Sequence, residues 1–308
     1  VPPDTHPRSA LVRAFAAPTA PTAYLLLIIT MLCWSGNFVI GRWAAPYVPP
    51  LTLAALRWIG ASLLILPIAW PHLKRDAGLI RANIPILLFL GVMGSGVFNT
   101  LQYVALQSTT ATSAAIINSS GPVMIALMSL VFTSTRLSGR QALGITISLL
   151  GVLIIVAKGE FAGLAGLGQN RGDVLMVIAV AGWAIYTALL PRRPALHPFA
   201  FAALTYMVAA ALNAPGALIE IAHGAAPNWF PGSIAAVAYT AIFPSFIAYL
   251  CYARGVEIIG ATRGGAFMHL IPLFATVIAL LTIGERPHLY HAAGFALILT
   301  GVVLAAGK

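Results

Sequence analysis

Ten stretches of the chain stay apolar for about the 20 residues, at roughly 1.5 Å each, that a helix needs to cross a hydrocarbon core of about 30 Å. They cover approximately residues 23–41, 51–70, 83–106, 111–133, 140–157, 173–190, 198–220, 232–253, 261–283 and 289–306. Polar residues gather between them together with helix-breaking punctuation: Pro49-Pro50, Pro71, Gly139, a glycine-rich segment from Gly159 to Gly172, Pro191 with Pro194, and Pro227 with Pro231. The pattern predicts an all-α integral membrane protein of ten transmembrane helices. Residues 1–22, rich in Pro, Ala and Thr, lack the apolar character to span and read as a disordered tail. The apolar stretch after them is long for a signal-peptide core and shows no convincing cleavage site, so it counts as a membrane helix.

The chain also repeats itself. Sliding it by 150 residues brings Ala111, Thr112, Pro122, Arg136, Gly144, Gly151 and Lys158 onto identical residues at Ala261, Thr262, Pro272, Arg286, Gly294, Gly301 and Lys308. A shift of 149 aligns the earlier part, with Trp34 on Trp183 and Tyr103 on Tyr252. The reading is a first five-helix repeat over 23–158, a glycine-rich linker over 159–172 and a second repeat over 173–308. Five spans is an odd number, so the second copy lies upside down relative to the first. Inverted repeats around a central cavity are the architecture by which one site faces either side of a membrane in turn.

Composition supports lipid as the outer solvent: 60% of residues are hydrophobic and only 8% charged, against about 25% charged in soluble domains. The net charge of +10 comes from 17 Lys and Arg, all but Arg57 scattered over the connections, without basic runs or interleaved aromatics, which excludes a nucleic-acid partner. With the N-terminus inside, Arg8, Arg13, Lys74, Arg75, Arg81, Arg136, Arg140, Arg192, Arg193, Arg254, Arg263 and Lys308 face the cytoplasm, and Arg42, Lys158, Arg171 and Arg286 lie outside. Twelve against four places both termini in the cytoplasm. Cys33 and Cys251 sit in apolar stretches as packing residues, so neither a disulfide framework nor a metal site is expected.

Candidate chemistry lies where the spans break. Pro122 and Pro272 fall near the middle of the fourth and ninth spans and free the carbonyls of Asn118 and Met268. Asn118, Ser119, Ser120 and His269 stand beside them, so the midplane is polar at matching places; the prolines mark a site or only kink helices for packing. Gly94-Ser95-Gly96 and Phe243-Pro244-Ser245 form a second matched pair of breakers, readable as hinges at Gly94, Gly96 and Pro244 or as close helix contacts. Gly144 with Gly151 and Gly294 with Gly301, seven apart on one face, read as packing surfaces. His269 is an ionisable group at depth, a substrate contact or a neutral histidine held by a neighbour. Trp34, Tyr103, Trp183, Tyr186, Tyr249 and Tyr252 offer flat apolar faces with polar tips, suited to organic substrates with a hydrophobic body and polar head, or to packing and interface belts. Asn37 and Asn99 add hydrogen bonds to a substrate or glue helices together. Arg57, about a turn and a half into the second span, reads as snorkelling, as holding backbone carbonyls, or as a substrate contact.

No span carries a central carboxylate. That favours facilitated transport, or proton coupling through His269, and the scarcity of mid-membrane Lys and Arg speaks against phosphorylated substrates.

Several motifs carry a family likeness: Trp34-Ser35-Gly36-Asn37, Leu56-Arg57-Trp58, Gly121-Pro122, and the closing run Gly284-Glu285-Arg286 through Gly294 to Thr300-Gly301-Val302. Over both halves the chain resembles the EamA-type branch of the drug/metabolite transporter superfamily, and within it looks most like the YddG-type exporters of aromatic amino acids. The resemblance implies a ten-helix bacterial inner-membrane carrier that exports small metabolites by alternating access, with a cavity lined by the first, third, fourth, sixth, eighth and ninth helices, no cofactor, and a monomeric state. The first half departs from the pattern, with Ser134-Thr135-Arg136 where the second has Gly284-Glu285-Arg286. Other readings are a multidrug or nucleotide-sugar-like carrier of the same superfamily, a channel or sensor, and a membrane-embedded enzyme, although no HExxH pair, Asp dyad or nucleophile elbow is present.

Overall fold

A computed structural model of the chain describes residues 19–133, 138–159, 171–259, 264 and 267–306. The tail over 1–18, most of the glycine-rich linker and the Ser134-Thr135-Arg136 motif therefore lie outside the described residues. Seven helices among the described residues are long and apolar enough to cross a membrane: α1 (Ala20–Ala44), α2 (Pro50–Arg75), α3 (Ile84–Ala105), α5 (Gly139–Val156), α6 (Arg171–Arg192), α7 (Pro198–Ala222) and α8 (Pro231–Ile259). A bent pair, α4a (Ala111–Asn118) and α4b (Gly121–Phe132), meets at 45° and makes an eighth span when counted as one. The expectation of ten spans is thus met as eight, because α9 (Phe267–Thr282) and α10 (Leu289–Leu304) are apolar but shorter, and part of the stretch before α9 is outside the described residues.

Local chemistry starts these helices where it should. Thr110 accepts a hydrogen bond from Ser113 N (3.0 Å) at the head of α4a, and Ser138 with Gln141 forms a reciprocal capping box at α5. Prolines occupy the first turns of α1, α2, α7 and α8, where a missing N–H costs nothing. Outward faces are large and apolar, with Leu63, Leu218 and Leu281 exposed to the lipid side, whereas small and polar residues such as Thr30, Ser35, Ser148 and Thr240 are buried. This inside-out distribution belongs to a multi-pass membrane protein.

Elements at equivalent places in the two halves exchange partners. α1 packs on α8 and α9, as α6 packs on α3 and both parts of α4; α2 packs on α7, and α5 on α10. In the last pair the backbones nearly touch at the glycines: a Cβ added to Gly301 would lie 2.4 Å from Gly144 O, and one added to Gly151 would lie 2.7 Å from Gly294 O. Only glycine permits that approach.

Both matched breakers prove to be π-helical. Val92–Val97 interrupts α3, and Phe243–Ile247 interrupts α8. Extra turns of this kind leave backbone groups without their helical partners, and side chains fill the vacancies. Pro244 cannot donate to Thr240 O, and Ser245 Oγ does so instead at 2.8 Å. Trp34 Nε1 donates to Pro244 O (3.1 Å) and Tyr206 OH to Ser245 O (2.7 Å). Gly94 and Gly96 also permit close contact: added Cβ atoms would meet Tyr186 and Leu212 at 2.6 Å each. At the break before Pro122, Ser119 and Ser120 turn their hydroxyls onto the carbonyls of Ile116 and Ile117 (2.6 and 2.7 Å). Pro272 lies in the first turn after a 3-10 segment, Phe267–His269, so the ninth helix is also irregular beside its proline.

Candidate functional site

The breaks in α3, α4, α8 and α9 surround a cavity of about 520 Å³. Trp34, Asn118, Trp183 and Tyr249 mark its deep end, and exposed Arg193 and Pro198, between α6 and α7, mark its mouth. A smaller inner cavity of about 60 Å³ shares Trp34, Asn118, Trp183, Tyr249 and Met268 with it and adds Asn37, Arg57, Asn99 and Gln102. The chamber is therefore wide and aromatic toward the mouth and polar at its blind end.

Among the sequence candidates, Trp34, Asn37, Asn99, Asn118, Ser119, Trp183, Tyr186, Tyr249, Tyr252 and His269 line one or both cavities. Tyr103 does not. It is 1% exposed, and its hydroxyl donates to Asn37 Oδ1 (2.7 Å) while accepting from Arg57 Nη1 (2.9 Å). The aromatic walls brace one another: Trp34 packs on Tyr249 and Tyr252, and Trp183 on Phe98 and Tyr186, with ring centroids 5.1 to 5.9 Å apart. His269 Nδ1 is buried and has no hydrogen-bond partner among the described residues.

Arg57 departs from two of its three expected roles. It neither snorkels nor holds carbonyls; it is 2% exposed and donates to the side chains of Ser245 (Nε, 2.7 Å), Asn37 (Nη1, 3.2 Å) and Tyr103. The cause is its angular position on α2, facing α8 rather than lipid, with a hydroxyl, an amide and a phenol within reach. Gln102 escaped the sequence reading as well, although its spacing of three from Asn99 puts both amides on one face of α3. The described acids remain at helix ends. Glu220 accepts from Leu51 N, Thr52 N and Thr52 Oγ1 at the head of α2 (3.0, 2.8 and 2.9 Å).

At the helix ends around Arg42 and Glu285, polar contacts link four spans. Gly284, in the left-handed region at φ 70°, turns the chain after α9 so that Glu285 points at the head of α4a. Its carboxylate accepts from Ala111 N (3.1 Å) and Thr112 N (3.3 Å), using the unpaired donors and positive end of that helix. Arg42 lies 3.8 Å from the same carboxylate and donates to the carbonyls of Leu106 and Gln107 (2.9 and 3.1 Å), tying α1 to the end of α3.

Comparison with known proteins finds membrane transporters. A model of the EamA-like transporter family matches twice, over residues 21–157 and 170–307. An uncharacterized transporter of Archaeoglobus fulgidus is 32% identical over 92% of this chain and 97% of its own length. The uncharacterized transporter YyaM of Bacillus subtilis is 26% identical (92% and 93% covered), and an S-adenosylmethionine/S-adenosylhomocysteine transporter of Chlamydia muridarum is 25% identical (90% of each). One solved crystal structure shares the fold with a TM-score of 0.59 at 21% identity, covering 93% of this chain and 96% of its own. Names and family alike point to a transporter and away from an enzyme, and with its model covering nearly the whole of both halves, this chain belongs to the EamA-like transporter family.

Proposed function

We propose that the protein is a secondary transporter that exports small organic metabolites, amino acids with aromatic or hydrophobic side chains foremost, by alternating access. The observation that carries this reading is the chamber itself: open beside Arg193 and Pro198 and walled by Trp34 and Trp183 from equivalent places in the two halves. Reciprocal packing supports ten spans in two inverted repeats, since Gly144 against Gly301 and Gly151 against Gly294 exchange places under the 150-residue shift, as a pseudo-two-fold axis requires. In this reading the mouth faces the cytoplasm of a bacterial inner membrane, both termini are cytoplasmic, and the monomer suffices. The π-helical breaks and the bend before Pro122 supply the hinges. Transport is facilitated, or coupled to a proton carried by His269.

A second reading draws on the Chlamydia muridarum relative: a sulfonium nucleoside also combines an aromatic ring with an amino-acid head. Both are tested by saturable flux of radiolabelled amino acids, S-adenosylmethionine and S-adenosylhomocysteine in reconstituted vesicles, with Trp183→Ala and His269→Ala as site controls. Movement of phosphorylated metabolites with no amino-acid flux would end the first reading, and full flux in both variants would end the site assignment.

A further inference from the structure

Arg57 is a buried cation whose guanidinium lies over the rings of Trp58 (4.7 Å) and Tyr103 (5.7 Å) with no anion beside it among the described residues. Its three hydrogen bonds go to neutral acceptors, and no carboxylate lies within 4.0 Å of it among the described residues, whose ion pairs all involve other groups. Nη2 makes no hydrogen bond among the described residues, and the residue lines the inner cavity. A second donor converges there: Gln102 is 1% exposed, lines the same cavity, and its Nε2 is buried without a partner. Buried donors in native proteins are normally satisfied, and an unpaired buried cation is more costly still. Two such donors aimed into one hollow describe a site completed by an anion.

We infer that Arg57, assisted by Gln102, is the anion-binding centre of the cavity and holds the carboxylate of the substrate. The dimensions agree: the inner cavity of about 60 Å³ takes a head group, and the adjoining chamber of about 520 Å³ takes the body between Trp34 and Trp183. A guanidinium suits a planar carboxylate, and the low dielectric strengthens the pairing. One cation with no second Lys or Arg on the inner cavity matches a singly charged head rather than a phosphate. Asn99 has its Nδ2 committed to Ser95 O at 3.2 Å, which leaves Oδ1 as an acceptor for an ammonium group. The assignment rests on the transporter reading and narrows its substrates to carboxylates and zwitterions with apolar bodies.

The test uses the full chain in lipid nanodiscs and three probes with one ring: phenylalanine, 3-phenylpropionate without the ammonium, and phenethylamine without the carboxylate. Calorimetric titration is expected to show the two carboxylates binding and phenethylamine weaker by roughly 30-fold or more, as for one lost partner of a buried charge pair. Because Arg57→Gln removes a structural cross-link as well, Gln102→Met is the second arm, expected to weaken 3-phenylpropionate while leaving phenethylamine and the thermal midpoint in place. Phenethylamine binding as tightly as 3-phenylpropionate, or no binding by any probe, overturns the assignment. Saturable phenylalanine flux in vesicles with equal competition by phenethylamine would remove Arg57 from the site and leave amino-acid export intact. Tight 3-phenylpropionate binding with no amino-acid flux would do the reverse.

Discussion

Glu285 ties the segment after α9 to the head of α4a, and removing its carboxylate should loosen that end of the molecule. Its hydrogen bonds to Ala111 N and Thr112 N act as a cap supplied from a distant segment, and loss of a cap costs about 1 kcal/mol. The negative charge at the head of α4a adds about 0.3–1 kcal/mol. The Arg42 contact contributes close to nothing, because it is long at 3.8 Å and the arginine side chain is 36% exposed. Together, Glu285→Ala should shift the balance between intact and loosened forms of this end by about 1–2 kcal/mol, a factor of roughly 5–30. The readout is a cysteine placed at Phe38, which is 3% exposed and lines the inner cavity, in a chain whose buried free Cys33 and Cys251 are replaced by alanine. A membrane-impermeant thiol reagent applied from the Arg42 side should react faster by that factor in Glu285→Ala. Glu220→Ala serves as the control: Glu220 caps the head of α2 in the same way, away from the chamber, and its loss should lower the thermal midpoint without changing the reaction rate. An unchanged rate in Glu285→Ala would show that something other than the carboxylate holds this end together.

Three further outcomes follow from the packing. Gly301→Ala would place a Cβ 2.4 Å from Gly144 O, forcing α5 and α10 apart at a cost of about 1–3 kcal/mol, read as a lower thermal midpoint; Gly121→Ala, with open space around it, should leave the midpoint near that of the parent chain. Ser245→Ala removes the acceptor of Arg57 Nε and the donor to Thr240 O, leaving buried polar groups unmet for about 1–3 kcal/mol each, measurable by thermal unfolding in detergent. At the mouth, His72 and His197 stack in parallel with ring centroids 3.5 Å apart, beside Arg75, Asp76 and Phe199. Burial, then the positive potential of His72 and Arg75, pull the His197 pKa below its usual value, so the stack stabilises the fold above pH about 6.5 and loses that contribution as pH falls through the lowered pKa. Asp76, held at about 2 by Arg75 and the His197 N–H, stays ionised throughout and contributes nothing to the change. Amide protection factors around residues 76–83 and 194–199, corrected for the intrinsic pH dependence of exchange, should therefore fall between pH 7.5 and 5, and His197→Phe should remove that fall.

The spans were legible because hydropathy summed over 20 residues needs no knowledge of neighbours, which is why helices such as α2, α5 and α7 begin within a residue or so of their expected starts. The breakers were legible for a related reason. Gly94-Ser95-Gly96 and Phe243-Pro244-Ser245 disrupt helical bonding by their own covalent chemistry, and both lie in π-helical segments. α10 begins at the expected Leu289, and α9 is described from Phe267 because part of the expected stretch before it lies outside the described residues.

Direction is what the sequence withheld. A polar residue inside a span is equally polar whether it faces lipid, a neighbouring helix or a cavity, and only the packed structure decides among them. Arg57 looked able to snorkel because depth alone was visible; what fixes it is Ser245, 188 residues away on α8. Tyr103 looked like a wall because aromatics often are, yet its hydroxyl is spent on Arg57 and Asn37. Glu285 is visible in the sequence only as part of a motif at a span end, while its partners at Ala111 and Thr112 stand 174 and 173 residues earlier. Each of these contacts crosses between distant helices, and the first and last also cross from one half of the chain to the other. Contacts made across such separations along the chain are where a residue-by-residue reading has least purchase.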